Sequence, residues 1–186
     1  MRRDDETAMA CELIEKNINC PATCSSGRLF DGVAAILGLT ETVSAEAEAA
    51  MLLEEAAFRG VKGRRDDGWA IPLSGTERVV IPTQSIVEHI VTLRRAGAGV
   101  DETAYAFHAA LARTAVETAR RIREESGLND VALSGGAFQN RLLLGLIIDG
   151  LREKRFDIHL PKKIPFNDGC IALGQIAVAR ELLYNE

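Results

Sequence analysis

Two segments near the carboxyl end of the chain repeat one pattern, and that pattern restricts the fold more than any other feature. "NDVALSGG" (129–136) and "FDIHLPKKI" (156–164) are each a short apolar run that reads as a strand. Each is followed by a glycine-containing turn and then a helical stretch, Gln139 to Glu153 and Asp168 to Leu183. Strand, turn and helix repeated twice predict an α/β layer, because such strands bury their faces only beside each other and beneath the helices that follow. In layers of this kind a ligand crevice lies beyond the carboxyl ends of the strands.

The preceding part of the chain is helical in pattern. Thr7 to Glu15 reads as a helix that stops near Asn17-Ile18-Asn19, before Pro21. "CSSGRLFDGVAAILGL" (24–39) offers Ser25 or Ser26 as an N-cap, an apolar face of Leu29, Phe30, Val33, Ile36 and Leu37, and Gly38 as the stop. Ser44 to Arg59, rich in Ala, Glu, Leu and Met, predicts a third helix ended by Gly60. "VKGRRDDGWAIPLSG" (61–75) breaks the pattern with charges, glycines and a proline and reads as an exposed, flexible connection. Helices resume from Thr83 to about Gly97 and from Asp101 to Ser126, the second with Phe107, Leu111, Ala115, Thr118 and Ile122 on one face. The expected organisation is one domain over 1–186, with a helical front part (1–126) and a strand-turn-helix part (127–186).

With 186 residues, 47% hydrophobic and 26% charged, the chain fits an ordinary soluble domain or one lobe of a larger fold. No window reaches the ~18 apolar residues of a membrane span. The opening "MRRDDETAMACELIEK" has no apolar signal core, so a cytoplasmic address is expected. The net charge is −5, with Lys and Arg scattered, which argues against a nucleic-acid surface. Cys20-x3-Cys24 lacks the second close pair or histidine partners that structural zinc requires, so four reduced thiols are expected.

Three stretches carry candidate chemistry. In "VALSGGAFQNRLLL" (131–144), Ser134-Gly135-Gly136 lets the backbone approach a ligand. Its N–H groups, with the start of the next helix, suit an anion such as phosphate. Asn140, placed about one turn into that helix, would reach a base or sugar; the alternative is a tight turn with a surface asparagine. In "PFNDGCIALGQ" (165–175), Asp168 sits where a carboxylate reaches a metal ion, or serves only as an N-cap. In "SSGRLFDGVAA" (25–35), Asp31 would accept from ribose hydroxyls, or simply pair with Arg28 three residues earlier. Glu46 and Glu48 read as a solvated face.

In this order, "CSSGRLFDGVAAILGL", "VALSGGAFQNRLLL" and "PFNDGCIALGQIAVA" resemble the carboxyl-terminal region of the hydrogenase-maturation carbamoyltransferases, the HypF family. They resemble more distantly the enzymes that make threonylcarbamoyladenosine in tRNA. The resemblance implies a helix-rich α/β fold, the second lobe of an actin/sugar-kinase/Hsp70-like (ASKHA) ATP-binding fold. It places Ser134, Gly135 and Gly136 at nucleotide phosphates, Asn140 near the adenosine, Asp31 at the ribose and Asp168 on a divalent metal. The implied ligand is ATP or carbamoyl adenylate. The implied activity is transfer of a carbamoyl group to the carboxyl-terminal cysteine of a hydrogenase maturation partner (HypE type).

The departures from that pattern are informative. No His-rich motif is present, and His89, His108 and His159 stand apart in the sequence, so the metal-binding histidines implied by the family would come from a first lobe. The adenylate-forming domain has no counterpart here, so the chain reads as a fragment that needs both, and a half-lobe of this kind is also a candidate homodimer or assembly module. Cys24 stands where a serine is expected, and Ala45 and Ala47 where the family tends to have tyrosine and glycine. Glu46 is a further ribose candidate by position. Cys170 reads as a small packing residue rather than a nucleophile.

Overall fold

The structure is a computed structural model and describes residues 2–61, 68–75 and 80–184. In chain order its elements are α1 (Arg2–Glu15), α2 (Ser26–Ile36), α3 (Glu48–Gly60), α4 (Thr83–Arg95), α5 (Val100–Ser126), β1 (Asp130–Ala132), α6 (Arg141–Glu153), β2 (Asp157–His159) and α7 (Ile171–Tyr184). Short 3-10 turns at Gly136–Gln139 and Asp168–Cys170 lead into α6 and α7. The strand-turn-helix pattern is therefore present twice, and β1 and β2 pair in parallel with Asp130 opposite Asp157, Val131 opposite Ile158 and Ala132 opposite His159.

Local chemistry explains where the helices begin and end. Ser25 is the N-cap of α2, its hydroxyl accepting from the Arg28 N–H at 3.4 Å, and Gly38 closes the helix with φ +71°. α3 starts at Glu48 rather than at Ser44. The Glu48 carboxylate reaches back to the Ser44 N–H (2.6 Å), the Ser44 hydroxyl (2.9 Å) and the Ala45 N–H (3.2 Å), turning 44–47 into a cap. These bonds, the Ser44 backbone one first, hold the Glu48 carboxyl below the usual carboxylate range. Glu48 is thus a capping residue, not simply part of a solvated face.

The core forms where α5 packs against α3 on one side and α6 on another, with α2 laid on α3. The amino half of α5 is buried almost all round: Thr103, Ala104, Ala106, Phe107, His108, Ala109, Ala110, Ala112 and Thr114 are covered. Phe30, Val33, Leu53, Ile86, Ile90, Leu142, Ile147 and Leu151 fill the space around it. Each such large apolar side chain contributes roughly 1.5–3 kcal/mol when taken out of water. The buried hydroxyls satisfy themselves within the helix, Thr103 donating to Gly99 C=O at 2.7 Å and Thr114 to Ala110 C=O at 2.8 Å.

The expected apolar faces run further than the covered ones. Ile36 is 42% exposed, lying off the face that buries Val33, Ala34 and Leu37, and Ile122 is 47% exposed because burial on α5 fades toward its carboxyl end. Of the connection expected to be flexible, 62–67 lies outside the described residues. Residues 68–75 are anchored, with Ile71 buried, Trp69 stacked on His89 at 4.0 Å between centroids, and the Arg113 guanidinium donating to the Trp69 carbonyl. By contrast every described residue of α7 is exposed, including Ile171, Leu173, Ile176, Val178 and Leu182.

Gly60 does more than stop α3. A Cβ at this position would lie 2.1 Å from the Asp101 carbonyl oxygen, so α3 and α5 meet backbone to backbone, with Arg59 bridging to Asp101 through two 3.0 Å bonds beside the contact. Gly60→Ala must push the two helices apart, and it is expected to cost about 2 kcal/mol. Urea denaturation of the variant measures this; an unchanged midpoint would contradict the close approach.

Candidate functional site

The site is built at the carboxyl ends of the two strands. Beyond β1, the Leu133 N–H donates to the His159 carbonyl (3.0 Å), and the chain then turns through Ser134, Gly135 and Gly136, all exposed. Gly135 has φ +114° and ψ 158°, a region that only glycine adopts without strain. Gly136 has open space around its Cα, so its lack of a side chain leaves the backbone uncovered. The Gly135 N–H donates to the Phe166 carbonyl at 2.9 Å, and the Phe138 and Phe166 rings lie 6.4 Å apart. The loop after β1 is thereby tied to the loop after β2, which carries Asp168 two residues further on.

Asn140 is the N-cap of α6, not a residue one turn inside it. Its Oδ1 accepts from the Leu143 N–H at 2.8 Å, and its Nδ2 lies 2.9 Å from Nε2 of His108. Nδ1 of His108 is 2.8 Å from the Ala104 carbonyl, which can only accept, so Nδ1 carries the proton and Nε2 receives one from Asn140. His108 is completely buried, and this burial pushes its pKa down to about 4, with the Ala104 bond opposing in part. Glu54 of α3 covers the rest of the α6 start, its carboxylate accepting from the Arg141 N–H (2.6 Å) and the Leu142 N–H (3.2 Å).

The helix start expected to receive an anion is therefore satisfied from within the chain. The donors left at the turn include the N–H groups of Gly136 and Ala137, which have no acceptor among the described residues. Asp31 on α2 is 44% exposed, and its carboxylate is 4.0 Å from the Arg28 guanidinium. Its neighbour Phe30 packs edge-on against Phe107 (5.1 Å) and His108 (5.5 Å), which brings α2 to the same region as Asn140. Glu46 is exposed.

Asp168 is exposed on the 3-10 turn, and the capping role falls to Asn167, whose Oδ1 accepts from the Gly169 N–H at 3.2 Å. Among the described residues no three His, Cys, Asp or Glu side chains gather as metal ligands, so this chain's donors do not by themselves fit a metal ion. His159 pairs with Asp130 at 2.6 Å and the four cysteines are free thiols. A groove of about 430 Å³ between α5 and α6, lined by Tyr105, Arg113, Val116, Leu146, Gly150 and Lys154 among others, contains none of the candidate residues.

Two residues of the site escape sequence reasoning. His108 stands in the Ala-rich run "AFHAALA" (106–112), where a single polar side chain among small apolar ones is a signal of a satisfied buried group. Glu54 gives no such signal, since its partners are 87 and 88 residues away.

The geometry defines a class: a helix-rich α/β unit whose glycine turn and neighbouring loop are tied together at the carboxyl ends of a parallel strand pair. Residues 1–175 match the family model described as carbamoyltransferase, Kae1-like domain, second subdomain, and the chain belongs to the HypF carbamoyltransferase family. It is 38% identical over 172 residues to the carbamoyltransferase HypF of Rhodobacter capsulatus, covering 92% of this chain and 21% of that protein. A HypF homolog of Cupriavidus necator is 31% identical over 169 residues, covering 90% of this chain and 43% of the relative. Among solved structures, full-length HypF in a phosphate- and nucleotide-bound form superposes with TM-score 0.89 at 33% identity, over 97% of this chain and 23% of that one. HypF of T.kodakarensis superposes with TM-score 0.84 at 29% identity, with the same coverage of 97% and 23%.

The buried histidine sets a pH dependence. Its folded pKa is near 4 against an ordinary 6.5, so between those values the unfolded chain binds a proton that the folded chain refuses. Stability is then full above about pH 6.5 and falls as pH drops toward 4, by on the order of 3 kcal/mol from this group. His108→Gln removes that dependence, so the stability gap between wild type and variant in urea titrations should narrow from pH 7 to pH 4.5. A constant gap would contradict it.

Proposed function

We propose that the chain is one wall of the nucleotide site of a HypF-type carbamoyltransferase, the second lobe of an ASKHA fold, closed by a first subdomain that lies outside it. The observation that carries this is the tie between the two strand-end loops, Gly135 N–H to Phe166 C=O, which sets the exposed glycine turn beside Asp168. The phosphate- and nucleotide-bound state of the structurally similar HypF supports the same reading. Ser134, Gly135 and Gly136 approach the phosphates, with the Gly136 and Ala137 N–H groups as donors. Asp31 meets the ribose, and Asn140 borders the adenosine side while bracing the turn.

In the proposed reaction a thiolate, from the carboxyl-terminal cysteine of a HypE-type partner, attacks the carbamoyl carbon of carbamoyl adenylate. A C–S bond forms, the C–O bond to phosphate breaks, and AMP leaves with the electron pair. Negative charge grows on the leaving phosphate, where fixed N–H dipoles stabilise it at no cost of reorganisation. A divalent metal would supply further charge neutralisation there. Asp168 would give it one ligand, and the others would come from outside this chain. The product thiocarboxamide would serve cyanide-ligand synthesis for [NiFe] hydrogenase, and a cytoplasmic location goes with this reading. No helix among the described residues is long and apolar enough to cross a membrane.

A second reading, an assembly or dimerisation module without catalysis, has its support in α7, whose apolar residues are exposed along its whole length. Calorimetric titration with ATP and Mg²⁺, on the chain alone and with a first subdomain of the family added, separates the two. The nucleotide reading expects saturable binding with the subdomain present and weak or no binding without it. Gly135→Ala should lower that affinity about tenfold or more, because the turn must leave its glycine-only conformation. Equal affinity with and without the subdomain contradicts the half-site, and nucleotide-independent dimers favour the module.

A further inference from the structure

Among the described residues His108 is the only titratable side chain that is fully buried, and both its nitrogens are spoken for. We propose that His108 is a positioning residue of the nucleotide site: its neutral Nδ1–H form fixes Asn140, and through Asn140 the Gly135–Gly136 turn and the start of α6. The inference rests on the reading that this turn receives nucleotide phosphate.

The constraint runs outward from the core of α5. The Ala104 carbonyl accepts only, so it fixes the proton on Nδ1 and leaves Nε2 as an acceptor. An acceptor at Nε2 requires Asn140 to present its nitrogen there, which excludes the flipped amide. The amide oxygen then faces the Leu143 N–H, 2.8 Å away, and caps α6. Asn140 also ends the 3-10 turn that starts at Gly136, its own N–H donating to the Ala137 carbonyl at 3.3 Å, while its carbonyl accepts from the Leu144 N–H at 3.0 Å. One residue thus joins the glycine turn, through its backbone, to the helix, which its side chain caps, and one rigid ring on α5 decides which way that side chain points.

The surroundings suit a ring held in one state. Phe30 and Phe107 stand edge-on to the imidazole at 5.5 and 5.4 Å, and burial keeps it neutral. A protonated ring would set two donors against each other at Asn140. An apolar residue would fill the space but leave the amide free to turn, releasing the cap and the glycine turn together.

The test uses nitrogen-15 spectra of the ring in the whole chain, amide exchange over 136–143, and ATP titration with Mg²⁺ and the first subdomain present. His108→Gln keeps an acceptor near Nε2, whereas His108→Leu removes it. If the leucine variant does not fold, His108→Asn, which keeps the Ala104 bond but falls short of Asn140, replaces it. The wild-type ring should show Nε2 as the bare nitrogen. The leucine or asparagine variant should exchange faster across the turn and bind ATP about tenfold more weakly, the loss of one buried hydrogen bond, and glutamine should restore most of both. A protonated Nε2, or equal exchange in the variants with and without the acceptor, overturns the proposal. Failure of the wild type itself to bind ATP would remove the nucleotide reading, while the ring and exchange data still decide the role of His108.

Discussion

Everything in this lobe leans on the amino half of α5, which is buried on nearly every side. A helix can sit so deep only if its neighbours come close, and the alanines of 104–112 together with Gly60 and Gly150 on the facing helices permit that. A Cβ at Gly150 would lie 2.8 Å from Val116, the counterpart on α6 of the Gly60 contact on α3. Close packing of this kind leaves few adjustable voids, so the positions of α3 and α6 are set together. The strand-end loops inherit their placement from α6, and the candidate site inherits its placement from the loops.

That dependence shows in the polar contacts. Glu54 comes from α3, His108 from α5 and Asn140 from the turn, and all three converge on the first turn of α6. Four N–H groups open every helix and need partners. Here the chain supplies partners from distant elements, with the result that the α6 start is braced rather than left for a ligand. The backbone N–H groups one turn earlier, at Gly136 and Ala137, are left without an acceptor among the described residues, and the proposed function assigns them to phosphate.

Much of the fold is legible in the sequence because its signals are local. The two strand-turn-helix units, the Ser25 cap and the end of α5 at Ser126 follow from spacing and capping chemistry within a few residues. The start of α3 is less legible, since Glu48 caps backward by four residues and delays the helix. At Ala47, φ is +60°, a left-handed conformation that costs an L-residue roughly 1–2 kcal/mol. This gives a physical reason why a glycine suits that position in the resembled family. The roles of Glu54 and His108 are not legible, because hydrogen bonds spanning 87 and 32 residues leave no pattern in a single sequence. Asp31 and Asp168 stand out as candidates from their local sequence, each beside a plainer reading, and the resemblance is what joins them to one site. The fold leaves the Asp168 carboxylate exposed on the loop after β2 and the Asp31 carboxylate partly exposed on α2, facing Arg28.

In the proposed reading a second wall outside this chain closes the site, and the apolar residues exposed along α7 are the surface that such a neighbour would cover. The most direct measurement is a proton–nitrogen NMR map of the labelled chain, with the first subdomain bound, before and after adding ATP and Mg²⁺. The largest amide shifts should fall on Gly135, Gly136 and Ala137, with smaller ones around Asp31 and Asp168. Shifts confined to the groove between α5 and α6, or none in the glycine turn, would contradict the placement of the nucleotide.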